Sequence, residues 1–136
     1  LTAFIPMLMN TGGNSGSQSS TLIIRGLALE EIDLTDVAKI LWKEFRISIL
    51  VGISLAAVNF IRIYFFSDVG LTIALTVSLT LLVIVVISKV VGGTLPILAK
   101  KLNLDPALMA GPFITTIVDV LCLIVYFSIA AWLLNI

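Results

Sequence analysis

Asp119 is the residue with the clearest capacity for ion chemistry, because it lies deep inside an apolar segment. An ionised carboxylate near the middle of a bilayer costs roughly 3 kcal/mol on insertion scales, so it is expected to face a partner, a cavity or an ion path. Thr115 and Thr116, one helical turn earlier, add hydroxyl oxygens on nearly the same face. The other acidic residues all lie in stretches that connect apolar segments: Glu30, Glu31, Asp33, Asp36, Glu44, Asp68 and Asp105.

Two structural roles for Asp119 stay open at the level of sequence. A protonated Asp119 could be bonded to a backbone carbonyl, or an ionised one could pair with Arg25 or Arg62. The avoidance of the apolar segments by every other acidic residue favours the ion path over both.

The second chemical feature is a polar run, TGGNSGSQSS, at residues 11–20 of another apolar segment. On a helix, spacings of three and four place polar side chains in one stripe: Asn10, Asn14, Ser17, Gln18, Thr21 and Arg25. Gly12 and Gly16 form a GxxxG pair, which allows a neighbouring backbone to approach closely. Helix packing explains the glycines but not so long a polar run. Inside a membrane, such a run is expected to line water or to be buried in protein.

Together these features describe a water-accessible path whose ligands are all oxygen atoms, from carboxylate, hydroxyl, amide and backbone carbonyl groups. Hard cations such as Mg²⁺, Ca²⁺ and Mn²⁺ prefer these ligands, whereas soft metals do not. One carboxylate per chain is too few for a dehydrated divalent ion, but a symmetric dimer supplies two. Because Mg²⁺ holds its water tightly, we expect such a pair to bind it through its hydration shell.

The composition requires lipid around the elements that carry these residues. Of the 136 residues, 60% are hydrophobic and 12% are charged, about half the charged fraction of a soluble domain. A soluble domain of this length cannot bury so much apolar surface. The formal net charge is zero and there is no basic run, so nucleic-acid binding has no support. With no histidine and one cysteine, Cys122, the sequence lacks the ligands of a zinc or iron–sulfur site.

Hydropathy predicts an all-α, polytopic transmembrane bundle with spans at about residues 3–27, 45–66, 69–91 and 107–134. A short amphipathic helix on the cytoplasmic surface is expected at about residues 34–44, and an ordinary solvated linker helix stays open as the alternative for this segment. Asp105 and Pro106 are a typical helix start, so the last helix is expected to begin there. Asp119 would then lie about fourteen residues into that helix, at or slightly beyond the bilayer midplane.

Basic residues indicate the orientation of these spans. They flank two of the three connections and nearly avoid the second: Arg25, Lys39, Lys43 and Arg46 at the first, and Lys89, Lys100 and Lys101 at the third. Because basic loops are retained in the cytoplasm, the first and third connections are expected to be cytoplasmic, with both ends of the chain outside. The start of the sequence carries no signal-peptide pattern, and we expect the chain to be part of a longer protein.

Three segments of the chain resemble the membrane domain of MgtE-type magnesium channels. They are IPMLMNTGGNSGSQSSTLIIRGLALEEI, GGTLPILAKKLNLDPALMAGPFITTIVDV and LIVYF, and the resemblance covers nearly the whole chain. It implies a homodimer with a pore along the two-fold axis. It also implies that this chain lacks the first membrane helix and the cytosolic regulatory domains of that family.

The resemblance further implies roles for individual residues. Hydrated Mg²⁺, as transported ion and pore ligand, is expected to bind at Asp119, with Thr115 on the same pore face. The other positions that match the pore of the family are Gly13, Asn14, Ser17, Thr21 and Gly111. At Ser17 and Gly111 members of the family often carry an amide, so this chain departs from the family pattern there.

These observations predict a dimeric divalent-cation channel that conducts Mg²⁺ inward across the plasma or inner membrane, with no catalytic residue. Two other classes stay open. A secondary transporter would use Asp119 as its ion-coupling site, and single-channel currents would argue against it. A non-transporting assembly subunit would use the polar run for packing alone. Failure of the purified protein to pass Mg²⁺ into liposomes would favour that class.

Overall fold

The computed structural model describes residues 2–31, 34–109 and 111–135, and all regular structure within them is helical. Four α-helices are connected by short segments: α1 Ile5–Ala28, α2 Val37–Phe66, α3 Gly70–Lys101 and α4 Pro112–Leu134. Three single 3-10 turns lie outside them, at Thr2–Phe4, Leu34–Asp36 and Pro106–Met109. The all-α prediction is therefore confirmed. Asp33, one of the acidic residues in the first connection, lies outside the described residues.

Three of these helices, α2, α3 and α4, are long and apolar enough to cross a membrane. Their outer faces carry large apolar side chains, including Phe66 at 84% exposure and Trp132 at 72%, as expected for a surface in contact with lipid. Helix α1 has 24 residues, long enough to cross, but its polar run lowers its apolar character.

The helix α3 lies at the centre of the bundle, in contact with the other three helices. One buried cluster joins all four helices: Leu8 from α1, Ile63 from α2, Ala74, Val77, Leu81 and Ile84 from α3, and Cys122 and Tyr126 from α4. A smaller cluster, of Ile23, Leu27 and Ile97, joins the other ends of α1 and α3. Because α3 is buried along one side for most of its length, it sets the positions of its neighbours.

The helices α1 and α3 run parallel, with glycines at their closest approach. A Cβ atom on Gly12 would meet Ile84 and Ser88, and a Cβ atom on Gly92 would overlap the carbonyl oxygen of Gly16. Gly12 and Gly16 therefore have the packing role that GxxxG suggested. Helices α2 and α4 run in the opposite direction to α1 and α3, so consecutive helices alternate in direction.

The helix boundary that was expected between residues 44 and 45 is absent from the structure. The amphipathic helix at 34–44 and the span at 45–66 form one continuous helix, α2, preceded by a 3-10 turn. No proline or glycine interrupts residues 37–51. The backbone has no reason to break where the hydropathy changes, because hydrogen bonds within a helix satisfy the backbone groups both in water and in lipid.

The third span also continues beyond its expected end. Helix α3 runs through Gly92, Gly93 and the internal Pro96 to Lys101, where a connection from residue 92 was expected. An interior proline removes one helical hydrogen bond and crowds the carbonyl four residues earlier, which here belongs to Gly92. The close packing of Gly92 against α1 compensates for the weak helix propensity of these residues.

The last helix begins later than Asp105 and Pro106 suggested. Asp105 Oδ1 accepts a hydrogen bond from the Ala107 amide at 3.0 Å, but it starts only a 3-10 turn. Gly111 then adopts φ +56°, and α4 begins at Pro112. Asp119 consequently lies seven residues into α4, about 10 Å along its axis. The fourteen residues expected between the helix start and Asp119 are thus reduced to seven, whereas the depth of Asp119 in the bilayer stays a prediction.

Candidate functional site

The polar stripe lies on the side of α1 that faces away from α3. Asn14, Gln18 and Thr21 are exposed and Ser17 is partly buried, whereas Gly12 on the opposite side is buried. This arrangement follows from the period of the helix, which puts the small residues on one side and the amides and hydroxyls on the other. The bundle therefore has a polar outer face on α1, alongside the apolar outer faces of the other helices.

A cavity of about 560 Å³ opens on this polar face. Its lining consists of five residues of α1 and one of α3: Asn14, Ser17, Gln18, Thr21, Leu22 and Lys89. Three of the predicted pore residues thus share one cavity with an amide, Gln18, and with an ammonium group. Since no acidic residue belongs to the lining, the cavity carries a positive charge and neutral hydrogen-bonding groups.

The predicted pore residues on α1 and α4 meet at Gly13. A Cβ atom there would lie 3.4 Å from Thr115 Cγ2 and 3.8 Å from Thr115 Oγ1, so the two helices are in contact at this point. The Thr115 hydroxyl donates a hydrogen bond of 3.1 Å to the Gly111 carbonyl oxygen within its own helix. Gly111 itself is exposed, with open space around the position of a Cβ atom. Gly13 and Thr115 therefore line a seam between α1 and α4, whereas Gly111 is linked to this seam only through its hydrogen bond with Thr115.

Asp119 lies near this seam and is partly buried. It makes no hydrogen bond and no ion pair with any other part of residues 2–31, 34–109 and 111–135. Of the two arginines that it could have paired with, Arg62 instead donates to Asn59 Oδ1 and to Met7 Sδ, both at 3.1 Å. Within the described residues, therefore, neither Arg25 nor Arg62 pairs with the Asp119 carboxylate, and no backbone carbonyl is bonded to it.

The cavity and the carboxylate lie at different heights along α1. Helix α4 runs antiparallel to α1, since Gly16 contacts Ile114 while Gly12 contacts Val118. Asp119 follows Val118 and is therefore level with Gly12. The centre of the cavity lies about six residues further along α1, roughly 9 Å at the helical rise. In one chain, Asp119 and the cavity are therefore two separate positions along the bundle.

Two charged residues are buried in the bundle: Glu44, which the sequence placed in the first connection, and Lys89, which lies within the predicted span 69–91 beside the third connection. Glu44 is 7% exposed and accepts a hydrogen bond of 2.5 Å from the Ser19 hydroxyl, which joins α2 to α1. Lys89, also 7% exposed, lies inside α3. Hydropathy averages over a window of residues and cannot separate a charge at a span boundary from one turned inward. The burial of Glu44 and Lys89 becomes evident only from the packing of the helices.

We expect substitution of Ser19 with alanine to lower the free energy of unfolding by about 1 to 3 kcal/mol. The substitution leaves the buried Glu44 carboxyl without its hydrogen-bond donor, and an unsatisfied buried group costs about that much. Thermal unfolding of the purified protein in detergent measures the effect. Ser54→Ala is the matched control, because that exposed hydroxyl bonds only to Leu50 in its own helix. Equal melting temperatures for the two variants would show that the Ser19 bond adds no stability.

Comparison with known proteins places the chain in a family. Residues 5–129 match the MgtE family, described as a divalent cation transporter. The chain is similar to proteins named magnesium transporter MgtE from three bacteria: it is 38% identical to that of Thermus thermophilus, 36% to that of Bacillus subtilis and 30% to that of Enterococcus faecalis.

These matches cover 99%, 96% and 96% of this chain, but only 30%, 29% and 29% of the three relatives. The chain thus spans about three tenths of their length. The family consists of transporters, not enzymes. The extent of the family match and the identities along nearly the whole chain leave one assignment: the chain belongs to the MgtE family of divalent cation transporters.

Proposed function

We propose that this chain forms the ion path of a Mg²⁺ channel, and that the path lies between two copies of the chain. The observation that supports this most is the exposed polar face of α1, with Asn14, Gln18 and Thr21. A polar helix face in hydrocarbon costs several kcal/mol for each unsatisfied group, so it faces water or protein rather than lipid. The opposite face of α1 is already packed against α3, which leaves the polar face for water and for a second copy.

A two-fold arrangement also supplies the charge that a divalent ion needs. No three acidic, histidine or cysteine side chains come together in the described part of the chain, so one copy offers Asp119 alone near the seam. Two copies that meet along α1 and α4 bring two carboxylates towards one axis. They repel each other unless a cation lies between them, and a hydrated dication satisfies both through its water molecules.

The transported ion in this proposal is Mg²⁺ with its water shell. The relatives are named magnesium transporters, and the proposed path offers the oxygen ligands that this hard ion prefers. Asp119 holds the ion electrostatically and Thr115 accepts or donates hydrogen bonds to its water. Farther along the path, its wall consists of Gly13, Asn14, Ser17, Thr21 and Gly111. The same path passes other hydrated divalent cations to the extent that their size and charge match.

In the proposed topology all four helices cross the cell membrane, and the first and third connections are cytoplasmic. The alternating helix directions support this count, and the basic residues of those connections support the orientation. Mg²⁺ then enters down its electrochemical gradient. A membrane potential of about 100 mV contributes roughly 4.6 kcal/mol for two charges, without any coupled ion.

Cysteine labelling tests the path directly. We expect Ser17→Cys and Thr21→Cys, each in a Cys122→Ala background of the full-length parent protein, to react with a water-soluble thiol reagent and to be protected by Mg²⁺. Cys122 is the single cysteine of this sequence and is buried. Its replacement ensures that the reagent cannot react there. Val58→Cys is the control, because that exposed apolar position on α2 faces lipid in this arrangement and lacks water. Reaction at Val58 but not at Ser17 or Thr21 would exclude the polar face of α1 as the wall of an ion path.

A further inference from the structure

Lys89 is a buried charge that does not belong to the pore residues named above. It is residue 20 of the 32 in α3 and is only 7% exposed. Within the described ranges, its ammonium group makes no hydrogen bond and no ion pair. A lysine is seldom so buried without a partner, because removing an ammonium group from water is costly. The side chain instead reaches the cavity on the polar face, where water can solvate its charge.

The surroundings of Lys89 leave its charge uncompensated. The other residues that line the cavity are neutral: Asn14, Ser17, Gln18, Thr21 and Leu22. Glu44, an acidic residue of the neighbouring helix α2, approaches α3 at Gly93, one turn beyond Lys89. Its carboxyl accepts the Ser19 hydroxyl and forms no ion pair with Lys89. The cavity therefore has a positive potential, whereas the level of Asp119 has a negative one.

We propose that Lys89 is a fixed positive charge within the ion path, in series with Asp119, and that it determines the rate and valence selectivity of cation passage. The part of this proposal that concerns transport rests on the proposed function. Repulsion from a fixed charge is twice as large for a dication as for a monovalent cation. Lys89 therefore weakens the binding of Mg²⁺ along the oxygen-rich stripe, so that the ion binds most tightly at the level of Asp119. For an ion that moves from Asp119 towards the first connection, passage through the cavity beside Lys89 is the slow step.

The potential of the cavity can be measured without any transport. In the full-length parent protein with Ser17→Cys and Cys122→Ala, the rates of modification by a negatively and a positively charged methanethiosulfonate reagent are compared. We expect the negative reagent to be favoured, and Lys89→Gln to lower the ratio of the two rates at least fivefold. Lys89→Arg restores the ratio because it keeps the charge. Lys101→Gln, an equal charge change at the exposed end of α3, leaves the ratio unaltered. The same ratio with and without the Lys89 charge would overturn the proposal.

Ion flux tests the role in transport. In proteoliposomes of the full-length parent protein with the native Ser17 and Cys122, Lys89→Gln is expected to raise the rate of Mg²⁺ entry several-fold and that of a monovalent cation less. Lys89→Met, which preserves the buried aliphatic stem, should do the same if the glutamine variant folds poorly. A Mg²⁺ rate in a folded neutral variant equal to that of the unsubstituted protein would overturn the transport role. If the unsubstituted protein passes no Mg²⁺, the proposed function fails, while the reagent ratio still decides the charge of the cavity.

Discussion

Replacement of Asp119 with asparagine is expected to reduce Mg²⁺ flux by about 100-fold or more while leaving the fold intact. The amide has nearly the same shape as the carboxylate but lacks its charge. A dication about 5 Å from one carboxylate, at an effective dielectric constant of about 20, gains roughly 6 to 7 kcal/mol. A 100-fold loss corresponds to only about 2.8 kcal/mol. In the proposed dimer, neutralising Asp119 in both copies therefore removes more than enough attraction.

Voltage-driven Mg²⁺ uptake into proteoliposomes of the full-length parent protein measures this loss, and size-exclusion chromatography shows that the variant remains assembled. Asp105→Asn is the matched control, since Asp105 is exposed in the third connection and its side chain only accepts the Ala107 amide. An asparagine at position 105 keeps an acceptor oxygen and should keep the flux. A folded Asp119→Asn protein that conducts at the parent rate would show that Asp119 is structural and that the ion site lies elsewhere.

Substitution of Gly92 with alanine is expected to destabilise the bundle by at least about 2 kcal/mol. The new Cβ atom would overlap the carbonyl oxygen of Gly16, which belongs to a helix backbone and cannot rotate away as a side chain does. Overpacking typically costs 1 to 3 kcal/mol, and occasionally more. Because the clash here is with a helix backbone, we expect a cost above about 3 kcal/mol. The gain in helix propensity from glycine to alanine, about 1 kcal/mol, offsets only part of that cost.

The neighbouring glycine provides the control. A Cβ atom on Gly93 would lie 3.4 Å from Glu44 Cγ and 3.8 Å from Ile23 Cγ1, which are ordinary contacts. Gly93→Ala should therefore be neutral, or more stable by up to about 1 kcal/mol because of its helix propensity. Thermal unfolding in detergent compares the two variants. If both melt at the temperature of the parent protein, α1 and α3 do not approach each other as closely as described.

The polar face of α1 shows how much of the candidate site follows from local sequence. Spacings of three and four place Asn14, Ser17 and Thr21 together on any helix, so the face that they share was predictable from the period alone. The GxxxG pair likewise predicted close packing, and Gly12 and Gly16 do contact neighbouring helices. Both features depend only on one helix and its period.

The helix boundaries were predictable only in part. Hydropathy located three helices that can cross a membrane, but it ended them where charges or Pro and Gly residues begin. Helix α3 instead continues through Pro96, because its packing against α1 outweighs weak local propensity. At Gly111, a positive φ angle separates the turn after Asp105 from α4, and Asp119 is seven residues into that helix as a result.

The sequence by itself determined that the chain is helical, that it is suited to lipid, and that its polar groups are concentrated on one helix and at Asp119. Composition and period suffice for these properties, since each depends on residue type and spacing along the chain. Only the tertiary structure decided that Gly13 meets Thr115, that Ser19 binds Glu44 and that Lys89 reaches the cavity. Each of these contacts joins residues on separate helices, 25 to 102 positions apart in sequence. Such contacts depend on the relative direction and height of the packed helices. The residue pattern within one helix specifies neither.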